Sequence, residues 1–74
     1  MKISDFKIEG KANGVEVGSV KVTYGLIFKK TIIKKIYCDD GTNWFMWQET
    51  GDRCPEEVNK LANAYKAIKK YNER

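Results

Sequence analysis

Residues 11–24 decide the fold, and they read KANGVEVGSVKVTY. The pair Asn13-Gly14 is the strongest short-range signal for a β-hairpin, because both residues of its two-residue turn must adopt positive φ angles. Runs rich in β-branched and aromatic residues lie on either side and favour strands. The alternation of valines changes parity across Gly18-Ser19, which predicts a one-residue β-bulge there. Such a bulge would return the earlier valines to the face of the later ones.

The next connection is predicted to be a second tight turn. Gly25-Leu26 has the glycine-first pattern of a type II′ turn, which pairs Tyr24 with Ile27. The third strand then runs from Ile27 to about Cys38. Polar residues at 39–43 predict a turn after it, because they include the residue types that favour tight turns.

The last part of the chain predicts a short strand and a helix. The aromatic run at 44–47 is typical of a strand. The helix spans about residues 55–72, with proline at its first position, acids in its first turn and lysines near its end. Its apolar residues recur at three- and four-residue spacing: Val58, Leu61, Tyr65 and Ile68. The predicted fold is α+β with the order ββββα: a four-stranded antiparallel sheet over about residues 2–48 and one C-terminal helix.

Length and composition restrict the function. The chain has 74 residues, no histidine and two cysteines, which favours a single domain over residues 1–74 and argues against zinc and imidazole chemistry. No apolar run approaches the roughly 20 residues of a membrane span. The first residues have no apolar segment of a signal peptide. We expect a cytoplasmic, cofactor-free protein that is not an enzyme.

Charge is divided along the chain. The net charge is +4, with eight lysines against three acids in residues 1–37 and five basic residues against one acid in residues 58–74. Residues 38–57 are acidic instead, with six acids and one arginine. A basic excess favours nucleic acid or another anionic partner, although lysine-rich faces are also common as simple solvated surfaces.

The predicted register gives the sheet one face for the helix and one of mixed character. The second face would carry Lys21, Phe28, Lys30, Ile32, Lys34 and Ile36. Such a face is too apolar to be merely solvated and too charged to be fully buried. Two interpretations stay open: a homodimer surface, or a nucleic-acid platform whose lysines contact phosphates while an aromatic ring stacks on a base. The candidate nucleic-acid-binding residues are Lys21, Phe28, Lys30 and Lys34, and secondarily Lys66, Lys69 and Lys70.

The remaining polar and aromatic residues have simpler interpretations. Trp44 and Trp47 are more typical of packing than of base stacking, and Asp39-Asp40 of a turn than of a metal site. Cys38 and Cys54 are expected as free thiols, with Cys54 as a possible helix N-cap of lowered pKa. The alternative function is a protein-interaction module or inhibitor that binds a host protein. Its contact surface would be the aromatic strand and an acidic set: Asp39, Asp40, Glu49 and Asp52.

A family resemblance adds to this interpretation. The opening MKISDFKI (residues 1–8) is similar to the start of the stage V sporulation protein G family of septation regulators. Residues 22–36 resemble the hairpin of that family, and residues 41–46 resemble its Asn-Gly-Leu-Phe-Ile segment. The resemblance covers about residues 1–48 and implies a small α/β dimer that binds DNA or RNA as a regulator. The short segment 49–53 before the helix is what a compact phage or mobile-element relative would have.

Overall fold

A computed structural model describes residues 1–72 and confirms the α+β fold with the order ββββα. Within that range, one antiparallel sheet has its strands in chain order, β1-β2-β3-β4, and a helix follows it. The elements are β1 (Lys2–Ala12), β2 (Val15–Tyr24), β3 (Lys30–Cys38), β4 (Phe45–Trp47) and α1 (Glu56–Asn72). The last two residues of the predicted single domain, 73 and 74, lie outside the described range.

The first hairpin forms as the sequence predicts. Asn13 and Gly14 have φ angles of 52° and 84°, the positive pair that a type I′ turn requires. Ala12 pairs with Val15 directly across the turn. This prediction is confirmed.

The predicted second tight turn is wrong. Tyr24 pairs with Lys30 rather than with Ile27, so the connection is a five-residue loop, Gly25–Lys29. Gly25 begins the loop at a φ of 95°, and a Cβ atom there would collide with the carbonyl group of Phe28. The loop therefore folds back on itself at a position that only glycine accommodates without strain.

This three-residue difference in pairing exchanges the two faces of β3. Val22 pairs with Ile32, and Val20 pairs with Lys34. Because side chains alternate along a strand, an odd shift moves every β3 side chain to the other face. The core face, which α1 covers in part, therefore carries the β3 residues Lys30, Ile32, Lys34, Ile36 and Cys38. The outer face carries Thr31, Ile33, Lys35 and Tyr37 together with Lys21 of β2.

The predicted bulge at Gly18-Ser19 is also wrong, because the irregularities lie in β1. The pairing of β1 with β2 shifts between Ser4 and Lys7 and again between Ile8 and Gly10. β2 pairs with β3 without interruption from residue 17 to residue 24. Val17 consequently stays on the outer face. The glycine at position 18 is needed for a different reason, because a Cβ atom there would collide with the carbonyl group of Lys7.

The core forms where β1, β4 and α1 meet over the core face. The Phe6 ring packs edge-on against Phe45 at 5.3 Å and against Tyr65 of the helix at 5.5 Å between centroids. Burial of Phe45, which is 3% exposed, contributes about 1.5–3 kcal/mol. The helix begins at Glu56, one residue later than predicted, and its predicted apolar stripe is buried only in part, because Ile68 is 63% exposed. The buried apolar residues are Ile3, Val20, Val22, Ile36, Cys38, Phe45, Cys54, Val58 and Ala62.

Candidate interaction surface at the β2–β3 loop

The most exposed large apolar side chains of the described residues form the tip of the β2–β3 loop. Leu26, Ile27 and Phe28 are 96%, 86% and 92% exposed. They are consecutive, and the turn at Gly25 presents all three to solvent. An exposed apolar group of this kind marks a contact surface more often than a solvated one.

Basic residues surround this apolar tip. Lys29 and Lys30 follow it directly, and Lys2 pairs with Thr23, which brings the start of β1 to the same end of the sheet. We define the loop end as Met1, Lys2, Tyr24 and residues 25–30. All of these residues are exposed.

Over residues 17–38, the β2–β3 hairpin carries positive charge only. This range contains five lysines and no acid. Among the described residues the ion pairs are Lys21–Asp5 at 3.0 Å, Lys35–Glu9 at 2.8 Å and Lys66–Glu16 at 3.0 Å. Lys29 and Lys30 take part in none of these pairs, so their ammonium groups are available to an external anion.

The structure does not bring the predicted lysine site together on one face. Lys21 lies on the outer face beside Asp5, whereas Lys30 and Lys34 lie on the core face. The Lys34 ammonium is 5.1 Å from the centre of the Trp47 ring. The prediction of a single lysine-rich face is wrong, because the five-residue loop shifts the register of β3 and moves Lys30 and Lys34 to the other face.

The two isoleucines of that predicted face belong to the core. Ile36 is fully buried, and Ile32 is half-buried and packs against the core cluster. Phe28 lies on neither face, because it is part of the loop. Of the predicted sheet residues, Phe28 and Lys30 are the two that belong to the loop end.

The helix lysines form a separate group. Lys66 bonds to Glu16 and also lies 5.9 Å from the centre of the Phe45 ring. Lys69 and Lys70 lie in the last turn of α1 and are exposed. The interaction of lysines with the negative end of the helix dipole accounts for their position without any ligand.

The alternative site is engaged within the fold at its two tryptophans and at Asp39, whereas Asp40, Glu49 and Asp52 are exposed. The Trp44 indole N–H donates to the Cys54 carbonyl at 2.9 Å, and Trp47 is half-buried against the core. The Asp39 carboxylate accepts from the Thr42 amide and hydroxyl at 3.1 and 2.7 Å. The prediction that Asp39 forms a turn is confirmed.

The two cysteines are free thiols in the structure, and both are buried. Burial raises the pKa of Cys54 to about 12 and also raises the pKa of Cys38. The expectation of a lowered pKa for Cys54 at the start of the helix is therefore wrong, because loss of solvent outweighs the helix dipole. A thiol with a raised pKa is a poor nucleophile at neutral pH.

Of the loop end, the predicted site contained only Phe28 and Lys30, so sequence reasoning missed the apolar residues Leu26 and Ile27 and the lysines Lys2 and Lys29. The available signal was a run of three large apolar residues directly after a glycine, because a two-residue turn at that glycine would have placed the run in a strand.

Comparison of the chain with protein-family models, curated proteins and solved structures found no match. The helix described for residues 56–72 does not meet the length and apolarity needed to cross a membrane. Within residues 1–72, no three Cys, Asp or Glu side chains are grouped so as to hold a metal ion.

Proposed function

We propose that this protein is a small nucleic-acid-binding regulator whose main contact surface is the loop end. The observation that carries the proposal is the apolar tip Leu26-Ile27-Phe28, exposed and followed directly by Lys29 and Lys30. Apolar wedges and aromatic rings insert between or stack upon bases, while adjacent lysines neutralise phosphates. The tip and its two lysines combine both kinds of group within five residues.

Each group has a distinct role in this proposal. The Phe28 ring stacks on an exposed base, because its face is free of intramolecular contacts that would bury it. Lys29 and Lys30 contact phosphates, and Lys2 extends the basic surface along the same end of the sheet. Lys34 lies farther along β3 and adds long-range attraction. Lys21 and Lys66 act less directly, since each is held by an acidic residue.

The proposal includes a homodimer. A chain of 74 residues buries a modest share of its surface, and Ile33, Ile68 and Tyr71 remain exposed away from the loop end. Two copies would double the number of phosphate contacts. The resemblance of residues 1–48 to the stage V sporulation protein G family supports the same class of dimeric regulator.

A protein-interaction module is the second candidate, and the composition of the tip favours it. Leu26 and Ile27 are aliphatic and fit a hydrophobic groove of a protein at least as well as they fit bases. Within the predicted surface for this function, Trp44 and Asp39 are held by hydrogen bonds inside the fold, whereas Asp40, Glu49 and Asp52 are exposed. We place the contact at the loop tip, whose apolar side chains are the most exposed of the described residues.

A salt titration of oligonucleotide binding tests the proposal. We expect wild-type protein to bind single-stranded DNA or RNA more weakly as salt rises, with a linear log–log dependence. Changing Lys29 and Lys30 together to Gln should flatten the slope by about 1.4 on single strands, at about 0.7 for each lost phosphate contact. The matched control changes Lys7 and Lys60, two exposed lysines outside the loop end, to Gln and should alter binding less.

Two substitutions at Phe28 separate stacking from simple apolar contact. Phe28→Ala should weaken single-strand binding by about 1–3 kcal/mol. Phe28→Leu keeps most of the apolar area but has no ring, so it should weaken nucleic-acid binding nearly as much. If wild-type protein does not bind nucleic acid at low salt, the proposal is wrong and the protein-interaction candidate takes its place. An unchanged slope in the Lys29/Lys30 variant would move the site to Lys69 and Lys70.

A further inference from the structure

The edge of the sheet next to β4 is open over most of β3. β4 pairs only with Ile36, Tyr37 and Cys38, and the Gln48 amide donates one more bond to the Lys35 carbonyl at 3.1 Å. The chain then turns at residues 48–50 and runs back along the other side of β4, where Arg53 pairs with Met46. Within residues 1–72, the register gives residues 30–34 no strand partner on this edge.

The backbone groups that face this open edge can be assigned. The Lys35 carbonyl points toward β4, because it accepts the bond from Gln48. Backbone groups of alternate residues in an antiparallel strand point in the same direction. The N–H and C=O groups of Thr31 and Ile33 therefore point outward at the edge, whereas those of Ile32 and Lys34 point toward β2.

A groove lies along the same edge. It has a volume of about 370 Å³, and Ile32, Lys34, Trp47 and Glu49 are among the residues that line it. The groove lies beside β3, in the position that β4 would occupy if it continued beyond Gln48. It offers apolar contacts beside the outward-facing backbone, as a site for strand addition does.

The charge of the edge identifies the kind of occupant. Lys30 and Lys34 lie on the core-face side of this edge, and neither takes part in the ion pairs of the described residues. Glu49 lines the groove at the β4 end. A strand that carries acids opposite the two lysines would gain a cross-strand ion pair at Lys30, away from Glu49, and a second at Lys34, whose ammonium also lies 5.1 Å from the centre of the Trp47 ring.

A second copy of this chain is a poor occupant. Antiparallel pairing of two β3 edges centred on Ile32 places Lys30 directly opposite Lys34 of the other copy, which is destabilising. Pairing centred on Ile33 avoids that opposition but still gathers four lysines along one seam. Lysines on an edge strand are a common device against self-pairing.

We infer that the open edge of β3, residues 30–34, binds an extended acidic segment of another protein as an added antiparallel strand. The outward backbone groups of Thr31 and Ile33 form the new ladder, and Lys30 and Lys34 select acidic residues. This partner is separate from the nucleic acid proposed for the loop end. Lys30 takes part in both proposals, but the two can be told apart because they predict different ligands and only this one predicts protection of the Thr31 and Ile33 amides.

Amide hydrogen exchange with a designed peptide tests the inference. The probe is acetyl-Glu-Val-Val-Thr-Glu-amide, whose glutamates would lie opposite Lys34 and Lys30. We expect the Thr31 and Ile33 amides to exchange freely in the protein alone and to become protected when the peptide is added. The Ile32 and Lys34 amides, which face β2, should change little. The same peptide with lysine in place of both glutamates is the matched control and should give no protection.

Two variants at Ile33 distinguish backbone pairing from side-chain contact. Ile33→Pro removes an outward N–H, which an edge strand tolerates without losing internal pairing, and should weaken peptide binding about ten-fold. Ile33→Ala keeps the N–H and should weaken binding much less. Changing Lys30 and Lys34 to Gln should cost up to about five-fold for each residue.

Several outcomes would overturn the inference. Peptide binding without protection of Thr31 and Ile33 would place the peptide elsewhere. Equal binding of the acidic and basic peptides would remove the charge argument. Protection that grows with protein concentration and without peptide would identify a second copy as the occupant, and protection by an oligonucleotide alone would assign the edge to nucleic acid. No binding of the acidic peptide at millimolar concentration would also contradict it.

Discussion

The two ends of the sheet are built in opposite ways. At one end, which we name the turn end, the Asn13-Gly14 turn and the turn at Asp39–Asn43 are short and polar. The Asn43 amide donates to the Asp39 carbonyl at 2.7 Å, which closes the second of these turns. At the loop end, residues 25–29 leave three large apolar side chains in solvent.

The difference shows that the apolar loop between β2 and β3 is not needed to join the two strands. The turn end shows that this chain can join two strands with a two-residue turn, Asn13-Gly14, that carries no apolar side chain. A five-residue apolar connection between β2 and β3 therefore exceeds what the fold requires. Exposed apolar area that the fold does not require is best explained by a partner, which is why we place the main contact surface there.

The same substitution at the two ends should have the most unequal effect. Phe45, beside the turn end, is 3% exposed, whereas Phe28 is 92% exposed. Phe45→Ala should lower the free energy of unfolding by about 3–5 kcal/mol through lost burial and a residual cavity. Phe28→Ala should change it by less than about 0.5 kcal/mol. Urea denaturation of both variants checks this, and a comparable loss in both would show that the loop tip is packed in solution.

Glycine substitutions should show that the loop has a defined shape despite its exposure. Gly14→Ala introduces a side chain at positive φ into open space and should cost about 1 kcal/mol. Gly25→Ala also meets the Phe28 carbonyl and should cost about 2–3 kcal/mol. Thermal or urea unfolding measures both. Equal costs would mean that the loop relaxes around the new side chain.

The buried thiol near the turn end should make stability depend on alkaline pH. The pKa of Cys54 is raised to about 12, whereas an unfolded thiol ionises near about 8.5. The unfolded chain therefore loses a proton first, and stability should fall as pH rises above about 8.5, by at most about 1.4 kcal/mol per pH unit. Cys54→Ala should show a shallower decline over the same range. Identical pH profiles for wild type and variant would contradict the burial of this thiol.

The smallest expected effect is a loss of stability at acidic pH, and it comes from an ion pair on the outer face between the two ends. The Lys35 ammonium bonds to the Glu9 carboxylate and lowers its pKa. A lowered carboxylate pKa adds stability above its unfolded value, and that stability is lost as pH falls through the folded value. The advantage of wild type over Glu9→Gln should therefore be present at neutral pH and vanish in strong acid. Stability curves at several pH values measure it, and an advantage that persists in strong acid would exclude this ion pair as its source.

The sequence predicted the parts of the fold that depend on local chemistry. Asn13-Gly14 determines its turn through φ angles, and Asp39 determines the next one through hydrogen bonds to Thr42. The helix follows from Pro55 and the spacing of its apolar residues. These signals are contained in a few neighbouring residues, so no knowledge of distant contacts was needed.

The candidate site could be predicted only in part, because it depends on a register that local chemistry does not fix. A glycine at position 25 is compatible with a two-residue turn and with a five-residue loop, and the two differ by an odd number of residues. That difference moves Lys30 and Lys34 away from the face of Lys21. The first bulge of β1 was missed for a related reason, because Asp5 adopts its φ of 51° without any sequence signal such as glycine, whereas the second bulge has a glycine, Gly10, at a φ of 153°.

The contact between Phe6 and Tyr65 has a consequence for how the chain folds. The three strand pairings join neighbours in the chain, so each can form with little loss of loop entropy. The edge-on packing of Phe6 with Tyr65 joins the first strand to the helix. This contact closes a loop that spans most of the described chain. We expect the meander to acquire its order early and the helix to dock late, so that substitutions at Tyr65 accelerate unfolding more than they slow refolding. During synthesis on the ribosome, the side of the Phe6 ring that contacts Tyr65 would then remain exposed until the helix emerges.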